Sequence, residues 1–108
     1  SYVELLADCS QIVLPQRAQW AKQAYHLFVI RTDKRDELKA HLVADDIQVG
    51  IHYPIALPKL AAYDYLGQAD EAFFAHETDK NLLSLPIGEH LTMDDIVKVA
   101  DSVKRFFA

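Results

Sequence analysis

Apolar residues are bunched along this chain, and the spacing changes from one stretch to the next. Tyr25-His26-Leu27-Phe28-Val29-Ile30-Arg31-Thr32 is aromatic and β-branched without a breaker, which predicts a strand. Leu38, His41 and Leu42 then recur at helical spacing, predicting a helix from Lys34 to Ala44 capped by Thr32 or Asp33 and ended at Asp45-Asp46. Ile47-Gln48-Val49-Gly50-Ile51 alternates and reads as a second strand. Pro54 and Pro58 bracket a loop, with one helical turn expected over Lys59–Tyr63 and a break at Gly67. A helix is expected from Ala69 to Lys80 with Ala72, Phe73 and His76 inward, then a short strand at Leu82-Leu83-Ser84-Leu85 that stops at Pro86. Thr92 and Asp95 form a capping box for a last helix whose inner face is Ile96, Val99, Ala100, Val103 and Phe107.

Strand, helix, strand, loop, helix, strand, helix is the order of an α/β (α+β two-layer) domain. The expected architecture is a three- or four-stranded sheet with helices packed on one face. The first residues read differently. SYVELLAD looks like the end of a helix, with no capping residue before a periodic run. Ile12–Leu14 is a brief extended piece closed by Pro15, and the stretch to Ala24 is connector, with Trp20 placed to pack on something outside the chain. The expectation is a single domain, 1–108, cut from a longer protein, with an apolar surface exposed where its neighbour packs.

Composition narrows the classes of function. With 51% hydrophobic and 25% charged residues the chain is ordinary for a globular domain. A net charge of −5 argues against a nucleic-acid or anionic-membrane surface, which needs clustered Lys and Arg. No apolar run approaches the ~20 residues that span a bilayer, and no signal-peptide pattern is visible. The one cysteine, Cys9, excludes an internal disulfide and fits a cytoplasmic location.

The usual catalytic kits are missing. Glycine stands only at 50, 67 and 88, so no glycine-rich phosphate loop is available. Cys9 lies in a polar loop with no histidine nearby in sequence, a poor setting for a nucleophile. His26, His41, His52, His76 and His90 form no paired metal-ligand spacing. His26 and His41 are expected to pack or hydrogen-bond in the core, and His76 and His90 to lie at the surface. Asp45-Asp46 and Asp94-Asp95 read as helix-end charges, the second pair favoured by the macrodipole.

One stretch is harder to dismiss. Gly50-Ile51-His52-Tyr53-Pro54 puts an imidazole beside a phenol at a strand end, then stops the strand. It reads either as an ordinary strand end or as a ligand contact. Alternation would send the two side chains to opposite faces if the strand continued, so at most one would be core. Pro54 holds Tyr53 extended. Both side chains donate hydrogen bonds suited to a phosphate, and Lys59 follows closely.

"YHLFVIRT" (25–32), "RDELKAHLVADDIQVGIHYPI" (35–55), "AYDYLG" (62–67) and "LLSLPIGEHLT" (82–92), in this order and spacing, resemble the C-terminal domain of the DegT/DnrJ/StrS-type sugar aminotransferases. These are pyridoxal-phosphate (PLP) enzymes of the aspartate-aminotransferase fold, fold type I. The resemblance implies a substrate-covering domain of a larger enzyme, with residues 1–24 as the interdomain helix end and connector. The enzyme would move an amino group from an amino acid, glutamate in most of the family, to a nucleotide-linked keto-deoxysugar. It also implies that PLP, its Schiff-base lysine and its other contacts belong to a missing N-terminal domain. This chain alone then binds no cofactor, holds no catalytic residue and is inactive. His52 and Tyr53, with Lys59 as a weaker third, would bind the substrate at its diphosphate. Ile55-Ala56-Leu57-Pro58-Lys59-Leu60 replaces the Pro-x-His-x-Gln-like segment of many members and resembles those that aminate the 3-position of dTDP-linked 6-deoxyhexoses. A homodimeric bacterial enzyme is implied, its product feeding lipopolysaccharide, surface-layer glycan or antibiotic sugars. A free-standing ligand-binding or regulatory module without catalysis fits the same order of elements.

Overall fold

The structure, a computed structural model, describes residues 1–108. Its elements are α1 (Tyr2–Leu5), β1 (Phe28–Arg31), α2 (Arg35–Ala44), α3 (Phe74–Thr78), β2 (Leu82–Leu85) and α4 (Met93–Phe107), with 3-10 turns at Leu57–Lys59 and Ala61–Leu66. β1 and β2 are antiparallel, pairing Phe28 with Leu85 and Arg31 with Leu82.

The sheet is smaller than the three or four strands expected. Two strands form a ladder, and each outer edge carries a single bridge, Val13 to Arg31 and Gly50 to Ser84. The segments foreseen as extended at Ile12–Leu14 and Ile47–Ile51 do lie alongside the ladder. Each meets it at one position only, because β1 and β2 are four residues long and offer few partners. The helix expected over Ala69–Lys80 contracts to Phe74–Thr78, and Ala72 and Phe73 are exposed rather than inward. Phe74 instead lies under the Arg31 guanidinium, 5.0 Å from ring centroid to Cζ.

α1, α2 and α4 cover one face. α4 packs on α2 and α1, and α2 packs on β2. Alternation along β1 sends Phe28 and Ile30 inward. They join Leu6, Leu38, Leu42, Leu83, Leu85, Val99 and Val103 in one continuous core. Lys34 occupies the N-cap of α2, while the Thr32 hydroxyl accepts its N–H at 3.3 Å. Asp46, at φ 58°, takes the left-handed conformation that ends the helix. The capping box of α4 is complete: Asp95 accepts from the Thr92 N–H at 2.8 Å, and Thr92 Oγ1 accepts from the Asp95 N–H at 3.2 Å.

One terminal expectation changes. Ser1 does occupy an N-cap position, its amine held by Glu4 at 2.9 Å. α1 is anchored: Tyr2 meets Phe28 at 5.0 Å and its hydroxyl donates to the Pro86 carbonyl at 2.7 Å. Burial, aided by Asp95, pushes the Tyr2 phenol up to about 12. Cys9 is also buried, which raises its thiol above its ordinary range.

Candidate functional site

His52 and Tyr53 sit where the chain leaves its bridge to β2 and turns into the Pro54–Lys59 loop. Both are exposed, Tyr53 by 71%. The extended run stops at Gly50, so the two side chains do not diverge to opposite faces. Their rings meet edge to face at 5.6 Å, with planes at 81°. His52 Nδ1 shares a hydrogen bond of 2.9 Å with Ser84 Oγ. The imidazole lies so close over Gly50 that a Cβ there would come within 2.5 Å of its Cε1.

Lys59 is placed differently. Its ammonium donates to Asp79 Oδ2 and to the His76 carbonyl, both at 2.9 Å. Asp79 is 5% exposed and also accepts the Ala56 N–H at 3.0 Å. The Ala56 amide and then the Lys59 ammonium hold its carboxyl below the usual range. This clasp ties the loop to the end of α3. Its satisfaction is incomplete, since Asp79 Oδ1 and His76 Nε2 are buried without partners. The structure thus brings His52 and Tyr53 together and directs Lys59 to a neighbouring carboxylate, leaving one of its three N–H groups without a partner. Ser84, Gly50 and Asp79 were not singled out by pattern. The only hint was a lone polar residue inside Leu82-Leu83-Ser84-Leu85.

The other histidines serve no common site. His41 is half-buried as expected, its Nε2 3.1 Å from the Ser102 carbonyl. His26, expected in the core, is exposed because its run becomes a strand only from Phe28. No three of His, Cys, Asp and Glu gather closely enough to hold a metal ion.

Several large apolar side chains are exposed. Tyr53, Leu57, Tyr65 at 81% and Phe74 belong to the loop side of the sheet. A groove of about 1100 Å³ runs beside α1, lined by Tyr2, Leu6, Ile12, Phe28, Met93 and Ile96 among others. Neither His52, Tyr53 nor Lys59 borders that groove. Trp20 stands apart, 90% exposed.

With this geometry in hand, the chain belongs to the DegT/DnrJ/EryC1/StrS aminotransferase family, whose model matches residues 1–104. It is 38% identical over 104 residues to the erythromycin biosynthesis sensory transduction protein EryC1 of Saccharopolyspora erythraea, covering 95% of this chain and 28% of that one. It is 35% identical over 106 residues to the dTDP-3-amino-3,4,6-trideoxy-alpha-D-glucose transaminase of Streptomyces venezuelae, covering 97% and 28%. Among solved structures, S. venezuelae DesV in complex with a ketimine intermediate superposes with a TM-score of 0.87 at 36% identity, covering 97% of this chain and 29% of that one. The chain thus spans a little over a quarter of the length of the relatives it matches. The family is one of PLP-dependent sugar aminotransferases.

The residues present do not fit PLP itself. A Schiff base needs an amine that is available and shielded. No lysine of the chain is buried, Lys59 is held by Asp79, and Lys104 is paired with Asp8 at 3.0 Å. No step through the cofactor is assigned to this chain.

Proposed function

We propose that this chain is the substrate-covering C-terminal domain of a PLP-dependent sugar aminotransferase. The whole enzyme transfers an amino group from an amino acid, glutamate, to a keto-deoxysugar carried on a nucleotide, with a dTDP-3-keto-6-deoxyhexose as the substrate. The observation that carries this reading is the exposed His52–Tyr53 pair, held in mutual contact at the end of the extended run. It is supported by relatives named as transaminases of dTDP-3-amino sugars, at 35% and 31% identity.

In this reading the chain's residues bind and orient. His52 Nε2 and the Tyr53 hydroxyl donate to diphosphate oxygens, and Lys59 offers its remaining N–H to the same charge. Their contribution is placement of the keto carbon, not proton transfer. The exposed apolar side chains of the loop side and the groove beside α1 suit packing against the PLP-bearing part of the enzyme and against a second subunit of a cytoplasmic homodimer. Such an enzyme supplies amino sugars for surface polysaccharides or antibiotics.

The test is turnover. The complete polypeptide carrying this chain, supplied with PLP, glutamate and a dTDP-3-keto-6-deoxyhexose, is expected to release 2-oxoglutarate and a dTDP-amino sugar. Absence of 2-oxoglutarate with 3-keto and 4-keto dTDP-sugars alike would overturn the reading.

A further inference from the structure

Ser84 presents a contradiction between pattern and burial. Alternation along β2 sends Leu83 and Leu85 to the core and Ser84 to the opposite face. On that face Ser84 is nevertheless only 4% exposed. The Ser84 hydroxyl has one side-chain partner, His52 Nδ1 at 2.9 Å. Its backbone is fixed as well, exchanging both hydrogen bonds with Gly50 at 2.7 and 3.1 Å. Gly50 in turn is the residue over which the imidazole folds, so close that a Cβ there would have to displace the ring. His52 itself stays exposed and meets the Tyr53 ring edge to face.

This arrangement selects a tautomer. A buried hydroxyl whose proton finds no acceptor costs free energy. If Nδ1 carried the proton and donated to Oγ, the Ser84 proton would be left without a partner. If Oγ–H donates to Nδ1, both atoms of the pair are satisfied and the imidazole proton resides on Nε2. Nε2 makes no hydrogen bond within the chain. It is therefore free to donate outward.

We infer that Ser84 and Gly50 are positioning residues for His52: Ser84 fixes the Nε2–H tautomer, Gly50 admits the ring, and together they aim one N–H at an anionic ligand. The inference rests on the proposed role of His52 as a diphosphate contact and adds the residues on which that contact depends. The ligand class is a nucleoside diphosphate, and dTDP is the probe.

The experiment has two readouts. Long-range ¹⁵N–¹H NMR of the histidine-labelled chain reports the His52 tautomer, and calorimetry on the complete enzyme reports dTDP affinity. Wild type is expected to show the Nε2–H form. Ser84→Ala is expected to give a mixture of tautomers and dTDP binding weaker by about fivefold, against about tenfold for His52→Ala. Ser84→Thr, which keeps the hydroxyl, restores the Nε2–H form and affinity to within about twofold, and Gly50→Ala behaves like Ser84→Ala. A Ser84→Ala enzyme with unchanged tautomer and dTDP affinity, while His52→Ala still weakens binding, overturns the positioning role. Unchanged affinity in His52→Ala overturns the ligand role of His52 itself, whatever the tautomer does.

Discussion

The two faces of the small sheet are held by different forces. Behind it, α2 and α4 close over Ile30, Leu38, Leu42, Leu83 and Val103, all fully buried. In front, residues 52–74 leave Tyr53, Leu57, Tyr65 and Phe74 in the open and depend on a few polar ties: His52 to Ser84, and Ala56 and Lys59 to Asp79. Apolar burial is non-directional and supplies stability. Polar ties are directional and supply placement. The difference teaches that the core can change by homologous apolar residues without moving the site, whereas one hydroxyl or carboxylate on the other face cannot be exchanged so freely.

The comparison breaks most sharply in the core. Leu42→Ala is expected to cost about 3 kcal/mol, from lost transfer and a residual cavity. Urea unfolding of the chain should show this as a lower midpoint with unchanged slope. A loss below about 1 kcal/mol would mean the helix layer does not dominate stability.

Asp79→Ala should act locally. It removes the acceptor of the Ala56 N–H and the Lys59 ammonium. About 2 kcal/mol of loop protection should be lost. Hydrogen exchange at Ala56 should speed up while Leu42 and Val103 stay protected. Acid should do the same. The folded carboxyl lies below its unfolded value because the Ala56 amide and Lys59 favour the charged form. Its contribution is therefore present above an unfolded pKa of about 4, and is lost as pH falls below that through the depressed folded value. Faster Ala56 exchange below about pH 4 in wild type, and no such change in Asp79→Ala, is the expected pair of results.

Much of the helix side was legible in the sequence. Tyr25–Thr32 is rich in aromatic and β-branched residues, and the strand is there, shortened to Phe28–Arg31 while Tyr25 still stacks at 5.3 Å on Phe28. The Leu38–Leu42 and Ile96–Val103 spacings found their core because amphipathic periodicity records which face is buried. The loop side was legible only in its most local feature, the adjacent His52 and Tyr53. Lys59 looked like a free cation because its partner, Asp79, lies 20 residues on, a separation that no local pattern encodes. Ser84 and His52 are 32 residues apart. The expected helix over Ala69–Lys80 failed for a related reason: its apolar residues have helical spacing, but nothing faces them, so tertiary packing did not stabilise the first turns.

The smallest expected effect on stability belongs to Tyr53, one of the pair proposed to contact the substrate. Tyr53 is 71% exposed, so Tyr53→Ala should leave unfolding within about 0.5 kcal/mol of wild type. The decisive measurement is dTDP-sugar binding by the complete enzyme carrying Tyr53→Ala and His52→Ala together, set beside the stability of the same variant. Binding weaker by at least about tenfold, in a variant that still folds and loses no more than about 2 kcal/mol, is the predicted result. Full affinity in that variant would contradict the assignment of the site to this face of the sheet.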